Sequence, residues 1–153
     1  MITVKPYYEG VEKELFEVFS SAITQVCIKD YSEEQIKAWV PREYIHEKWK
    51  QRIDDNKPFI AIIDGVIVGY ADIQNDGYID HFFVSGDYQS KGVARALMTK
   101  LLSQEVAAEK AYSNVSITAR PFFEKNGFKV VKEKIVKIRD VDLVNLAMER
   151  RTG

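Results

Sequence analysis

Between residues 79 and 102 an apolar run, a short polar loop with one glycine and a second apolar run of different period follow one another. The first run, Ile79-Asp80-His81-Phe82-Phe83-Val84, has the length and composition of a strand. The second places Val93, Ala94, Leu97, Met98, Leu101 and Leu102 at helical spacing. The loop between them reads Gln89-Ser90-Lys91-Gly92-Val93-Ala94, a Q-x-x-G-x-A pattern. Strand, tight loop and helix is the order this predicts. Such a loop turns several backbone N–H groups toward one point at the positive end of a helix, which suits a phosphate or pyrophosphate. A Cβ at Gly92 would hold such a group away from the backbone. The commoner phosphate loops, G-x-x-x-x-G-K-[ST] and G-x-G-x-x-G, are absent.

The rest of the chain supplies a mixed layer protein. Ile2–Tyr7 reads as a strand ended at Pro6. Val11, Leu15, Phe19, Ile23 and Val26 recur at helical spacing. Ser32-Glu33-Glu34-Gln35 has the form of a capping box, and Pro41 breaks the helix it starts. Tyr44, Ile45, Trp49 and Ile53 continue a further helical stretch. Phe59–Ile63 and Val66–Ile73 read as strands joined by the hairpin signal Asp64-Gly65. Asn75-Asp76-Gly77 turns the chain into a strand over Tyr78–Val84. After the long helix come a strand at Tyr112–Ile117, a short helix at Ala119–Asn126 stopped by Gly127, and a hairpin of Val130–Ile138 and Val141–Met148. The predicted order is β-α-α-β-β-β-α-β-α-β-β, an α/β (α+β) mixed sheet with helices on its faces.

At 153 residues the chain is read as one domain spanning 1–153, long enough to bury roughly 68–70% of its unfolded surface. Its net charge of −1 provides no field for nucleic acid. Cys27 is the only cysteine, so no intramolecular disulfide and no cysteine metal cluster is expected. No 18-residue apolar run and no signal-peptide core are seen, which points to cytoplasmic residence and no membrane partner.

Residues Val84–Met98 resemble the acyl-CoA-binding segment of the GCN5-related N-acetyltransferases, roughly V-x-P-x-[YW]-[QR]-x-x-G-[IV]-[GA]-x-x-L. Downstream, Ser116–Phe128 resembles the family's N-x-x-A-x-x-F-Y-E-x-x-G-F. The resemblance covers roughly residues 58–149. It implies an acetyl-CoA-dependent N-acetyltransferase that moves an acetyl group to a primary amine of a small molecule or protein, in a ternary complex and without a metal. It also implies that the parallel strands Tyr78–Val84 and Tyr112–Ile117 splay apart and admit the pantetheine arm. Phe82, Phe83 and Val84 would bond that arm as a free strand edge. Gln89, Ser90, Lys91, Gly92, Val93, Ala94 and Arg95 would hold the pyrophosphate. Ser116 stands where many members have Asn, and would reach the cofactor with a shorter side chain.

The transfer needs a base for the ammonium of the acceptor, and the departing thiolate gains from a proton donor. The family's usual donor, the Tyr of F-Y-E, is here Phe123, placed beside the cofactor by the resemblance. Asp80, alone or with Tyr78, is the candidate base, with burial expected to raise its pKa. A period of two puts Tyr78, Asp80 and Phe82 on one face and Ile79, His81 and Phe83 on the other. His81, Tyr112 and Ser113 are further proton-relay candidates. Trp39, Tyr44 and Trp49 fall where this fold builds its acceptor site, and they equally suit helix packing. Phe123 keeps open an alternative, a non-catalytic acyl-CoA-binding sensor of the same fold. A homodimer through the last strands is also left open.

Overall fold

Short turns between alternating apolar segments build two four-stranded sheets rather than one. In the computed structural model, which describes residues 1–151, the chain runs β1 (Ile2–Pro6), α1 (Glu12–Ser21), α2 (Glu33–Trp39), α3 (His46–Asn56), β2 (Phe59–Ile63), β3 (Val66–Ala71), β4 (Tyr78–Ile79), β5 (Phe82–Val84), α4 (Val93–Leu102), β6 (Lys110–Ser116), α5 (Arg120–Lys125), β7 (Lys129–Ile138) and β8 (Val141–Arg151). The first sheet has the order β1-β2-β3-β5, antiparallel throughout. The second has the order β4-β6-β8-β7 and is parallel only between β4 and β6, where Tyr78 faces Tyr112 and Ile79 faces Ser113. The expected mixed α/β architecture is observed.

Local chemistry accounts for the turns and caps. Asp64 and Gly65 both take positive φ, 49° and 79°, as a two-residue hairpin turn requires. Arg139 and Asp140 make the β7–β8 turn in the same way, at φ 47° and 65°, without a glycine. The capping box is present: Gln35 N–H donates to Ser32 Oγ at 3.1 Å, and Ser32 N–H donates to Gln35 Oε1 at 2.8 Å. On one side of the first sheet, Val93, Leu97, Met98 and Leu101 of α4 bury against Ala61 and Val68. On the other, Leu15, Phe19 and Ile53 of α1 and α3 bury against Ile60 and Tyr70. Each such side chain contributes roughly 1.5–3 kcal/mol by leaving water.

Three expectations are corrected. The predicted element order counted two helices between β1 and β2, whereas all three helical stretches read from the sequence form separate α-helices there. The first helix ends as α at Ser21 and continues through a π turn at Ala22–Val26 and a 3-10 turn at Cys27–Lys29. The run Tyr78–Val84 is two short strands in different sheets. Asp72, just past β3, causes this break. Its N–H donates to His81 O at 3.1 Å, and its carboxylate accepts Asp80 N–H and His81 N–H, each at 2.9 Å. One residue therefore faces two, which is a β-bulge and shifts the alternation by one. Tyr78, Asp80, His81 and Phe83 line one cavity, whereas Ile79 and Phe82 join the cluster under α4. The predicted faces hold before the bulge and invert after it.

The turn before β4 depends on Gly77, whose φ is 89°. Its N–H donates to Gln74 O at 2.9 Å and its carbonyl accepts Tyr112 N–H at 2.9 Å. A Cβ at this position would collide with the Lys110 carbonyl. Gly77→Ala is expected to lower stability by about 1–3 kcal/mol, read as a reduced urea midpoint with unchanged slope.

Candidate active site

Beyond the bulge the two sheets part. β5 pairs only with β3, and β6 finds its parallel neighbour in β4 alone, so no ladder joins β5 to β6 among the described residues. The splaying implied by the family resemblance is thus present, with Asp80 and His81 at the point of parting. Phe82, Phe83 and Val84 are half-buried along the free edge of β5. The Phe82 ring lies 5.6 Å from the rings of both Phe122 and Phe123. Phe83 turns the other way, onto Phe19 and His81.

The phosphate-type loop closes one end of this wedge. Gln89 Nε2 donates to Val84 O at 3.0 Å and to Ser85 O at 3.1 Å, which ties the loop to the strand end. Ser90 and Gly92 take φ 61° and 85°. Gly92 is the residue before α4, and no side chain caps the helix there. The first-turn N–H groups are therefore left for solvent or a ligand. A cleft of about 590 Å³ lies at this end, lined by Val84, Gln89, Ser90, Gly92, Arg95 and Phe122 among others. A Cβ on Gly92 would meet only Ile2 Cδ1, at 3.8 Å, so the fold itself leaves the space above Gly92 open. Lys91 is exposed and does not line the cleft, whereas Arg95 does. Val93 is 1% exposed and can offer only its backbone.

At the other end of the wedge a cavity of about 290 Å³ holds Asp80, Tyr78 and His81. Asp80 accepts Arg52 Nε at 2.7 Å and Nη2 at 3.0 Å, and Asn56 Nδ2 at 2.8 Å. Tyr78 OH donates to Asp80 Oδ1 at 3.4 Å. Burial pushes the Asp80 pKa up, but the bonds from Asn56 and Arg52 outweigh it and hold the carboxyl below its ordinary value. The expectation of a raised Asp80 pKa is therefore corrected. The raised carboxyl is Asp72, which is fully buried and pushed by burial to about 6. His81 is driven by burial down to about 4, and it shares a 2.9 Å hydrogen bond between Nδ1 and the Tyr70 hydroxyl. Burial and the Asp80 charge raise the Tyr78 pKa, which keeps that phenol protonated at neutral pH.

Four sequence candidates sit differently from expectation. Tyr112 OH donates to Asp76 Oδ2 at 2.8 Å, on the exposed β3–β4 loop, and Tyr112 is not among the residues lining the cavity. Ser113 is buried and donates to Ile79 O at 2.7 Å, a bond that braces β4 against β6. Ser116 lines the cavity, and its hydroxyl accepts Ala119 N–H at 3.0 Å in the turn before α5. Phe123 is 3% exposed and packs among Phe82, Phe122 and Phe128, so Phe122 rather than Phe123 lines the cleft. Of the aromatic trio, Trp39 lines the cavity, Trp49 donates Nε1–H to Glu12 O at 2.7 Å, and Tyr44 bonds His46.

Sequence reasoning missed Arg52, Asn56 and Asp72. Arg52 and Asn56 stand four apart on α3 and so share a helix face, but nothing local ties that face to Asp80. Asp72 left a signal in the lone acid near the end of the apolar run Val66–Ile73.

The family model described as Acetyltransferase (GNAT) domain matches residues 27–150. A protein of Escherichia coli K12 named as the uncharacterised N-acetyltransferase YafP is 33% identical over 147 residues, which is 96% of this chain and 94% of that protein. A crystal structure of a GCN5-related N-acetyltransferase from Rhodopseudomonas palustris superposes with a TM-score of 0.91 at 28% identity, over 98% of this chain and 95% of that one. The PaiA N-acetyltransferase of Thermoplasma acidophilum, solved with coenzyme A, shares the fold at a TM-score of 0.74 and 21% identity, over 99% of both chains. The chain belongs to the GNAT acetyltransferase family and is an enzyme of the N-acetyltransferase class. Among the described residues no helix is long and apolar enough to cross a membrane.

The two shifted groups at the bulge act in opposite directions on stability. The folded Asp72 pKa, about 6, lies above its unfolded value, so its contribution is full below about pH 4 and lost as pH rises through 6. The folded His81 pKa, about 4, lies below its unfolded 6.5, so its contribution is present above 6.5 and lost as pH falls toward 4. Between pH 4 and 6 the two offset one another. In Asp72→Asn only the His81 contribution remains, and stability is expected to climb with pH from 4 to 6.5 more steeply than in the wild type. Denaturant titrations at pH 4.5, 5.5 and 6.5 test this, and parallel curves would reject it.

Proposed function

We propose that this enzyme transfers the acetyl group of acetyl-CoA directly to a primary amine while both substrates are bound in one wedge. The observation that carries this is the placement of an uncapped helix start at Gly92 and a carboxylate cavity at Asp80 at opposite ends of the same free strand edge. The N–H groups at the start of α4 would hold the pyrophosphate, with Arg95 adding charge. The edge Phe82–Val84 would bond the pantetheine amides.

The amine nitrogen attacks the thioester carbonyl carbon, a C–N bond forms and the C–S bond breaks. Asp80, ionised at neutral pH, accepts an N–H of the amine and fixes its direction. Asp80 takes the proton that nitrogen loses, and Tyr78, whose hydroxyl bonds Asp80 Oδ1 at 3.4 Å, recovers a proton from it after giving its own to sulfur. The thiolate takes a proton on departure. Phe123 has none to give, and Tyr112 bonds Asp76 outside the cavity, so Tyr78 is the phenol best placed to supply it. The alternative, an acyl-CoA sensor without transfer chemistry, predicts cofactor binding with no thiol release from any amine.

Coenzyme A and acetyl-CoA are both expected to raise the melting temperature, by about 2.7 kcal/mol of stability at one hundred times Kd. Gly92→Val is expected to weaken coenzyme A binding more than tenfold by calorimetry, because its side chain enters the space that the fold leaves open. Wild-type affinity in the folded variant would reduce the loop to an ordinary helix start.

Asp80→Asn is expected to lower kcat by about 10²-fold or more while the Kd for coenzyme A stays within twofold. The amide keeps the size of the side chain but cannot take the amine proton. Full turnover across pH 6–9 would assign Asp80 to the Arg52 and Asn56 contacts alone.

A further inference from the structure

Among the described residues, one buried side-chain nitrogen or oxygen has no hydrogen-bond partner, Oδ1 of Asn145. Asn145 lies on β8 and lines the cavity that holds Asp80. Alternation along the strand brings it there. Leu146 and Met148 bury on the α4 side of the sheet, whereas Leu143 joins the cluster of Leu15, Phe19 and Ile53 on the other. Asn145 stands two residues from Leu143 and shares its face. Its neighbour across the ladder on β6, Ser116, lines the same cavity.

The polar groups around it are engaged with one another. Asn114 Oδ1 accepts Lys134 Nζ at 3.2 Å, and Asn114 Nδ2 donates to Tyr78 OH at 3.5 Å. Ser116 Oγ accepts Ala119 N–H at 3.0 Å. The Tyr31 hydroxyl donates to Val144 O at 2.7 Å and accepts Ile117 N–H at 2.9 Å. Asp80 accepts from Arg52, Asn56 and Tyr78. Asn145 Oδ1 stands apart from this set. A buried acceptor left unpaired costs about 1–3 kcal/mol. On a cavity wall that cost is recovered when a donor arrives from within the cavity. A side-chain amide oxygen only accepts, so its complement is an O–H or an N–H.

That donor is not the amine that Asp80 orients. Asp80 directly follows β4, and the sheet order β4-β6-β8-β7 places Asn145 two strands away. At ~4.8 Å per strand, the two side chains rise from strands roughly 10 Å apart. One nitrogen cannot bond both, but a short chain with a donor at each end can. We propose that Asn145 determines acceptor specificity in the transfer reaction put forward above, on which this assignment rests. Its Oδ1 accepts a hydrogen bond from a hydroxyl or N–H that the acceptor carries besides the reacting primary amine. An amino alcohol or a diamine is therefore used in preference to an alkylamine of the same length.

The test measures thiol release from acetyl-CoA by the wild-type chain, Asn145→Leu and Asn145→Asp. The substrates are straight-chain amino alcohols of two to five carbons, the diamines of the same lengths, and the alkylamines in which a methyl replaces the terminal hydroxyl. In the wild type, a donor-bearing amine is expected to exceed its methyl counterpart by at least tenfold in kcat/KM at one or more lengths. The series that leads, alcohol or diamine, tells a hydroxyl from a second N–H. Asn145→Leu is expected to bring the matched amines within twofold of one another by losing the donor-bearing one, with the alkylamine little changed, a split that a merely structural role would not produce. Asn145→Asp keeps an accepting oxygen and is expected to keep the preference. Equal kcat/KM within every matched set in the wild type, or a preference that survives in Asn145→Leu, overturns the inference and leaves the transfer reaction standing. Loss of the preference in Asn145→Asp as well overturns it too, because the amide nitrogen would then be the group in contact. Coenzyme A binding with no thiol release from any amine overturns the transfer reaction, and this inference with it.

Discussion

The two backbone N–H groups that converge on the Asp72 carboxylate hold the working part of this fold in place. Asp80 and His81 are consecutive residues, and in a regular strand their N–H groups point in opposite directions. Here both reach one buried side chain at 2.9 Å. That geometry ends β4, starts β5 in another sheet and opens the wedge between β5 and β6. A carboxylate with no solvent exposure is an unfavourable thing to bury, and its raised pKa shows the cost. The two charge-assisted bonds and the Gln74 amide at 3.2 Å offset part of it. Stability is spent at the point where the sheet must part.

From that point a chain of polar contacts runs outward to helix α3. Gln74 Nε2 bonds both Asp72 and the Asn56 carbonyl, Asn56 Nδ2 bonds Asp80, and Asp80 holds Arg52. The carboxylate at the centre of the cavity is thus fixed from a strand on one side and a helix on the other. A carboxylate so restrained loses little freedom when it engages an amine, which is the value of preorganisation. The same restraint keeps it ionised, so it is a weak base, well placed by geometry rather than by pKa.

Aromatic rings complete the partition of the wedge. Phe82 leans toward Phe122 and Phe123 on the α5 side, while Phe83 leans toward Phe19 and His81 on the α1 side. Phe83 walls the cavity beside Asp80, whereas Phe82 packs into the cluster under α4 and Phe122, against which it leans, walls the cleft at the loop. Cofactor and acceptor can be held apart until their reactive atoms meet at the strand edge.

The amino-acid sequence by itself determined the parts whose causes are local. The Asp64-Gly65 turn, the Ser32–Gln35 capping box, the α4 stripe and the Gln89–Ala94 loop each depend on residues within a few positions of one another. The family, and the loop that its resemblance assigns to a cofactor, follow from that same local pattern. The tertiary structure alone decided where the run Tyr78–Val84 breaks, because the cause is Asp72, across the sheet. It decided that Asp80 has a lowered pKa, because Arg52 and Asn56 come from a helix 28 and 24 residues away in sequence. It decided too that Tyr112 turns to Asp76 and that Phe123 is sealed among other rings. A side chain's charge state and direction are set by whatever the fold brings beside it, and periodicity along one segment carries no record of those partners.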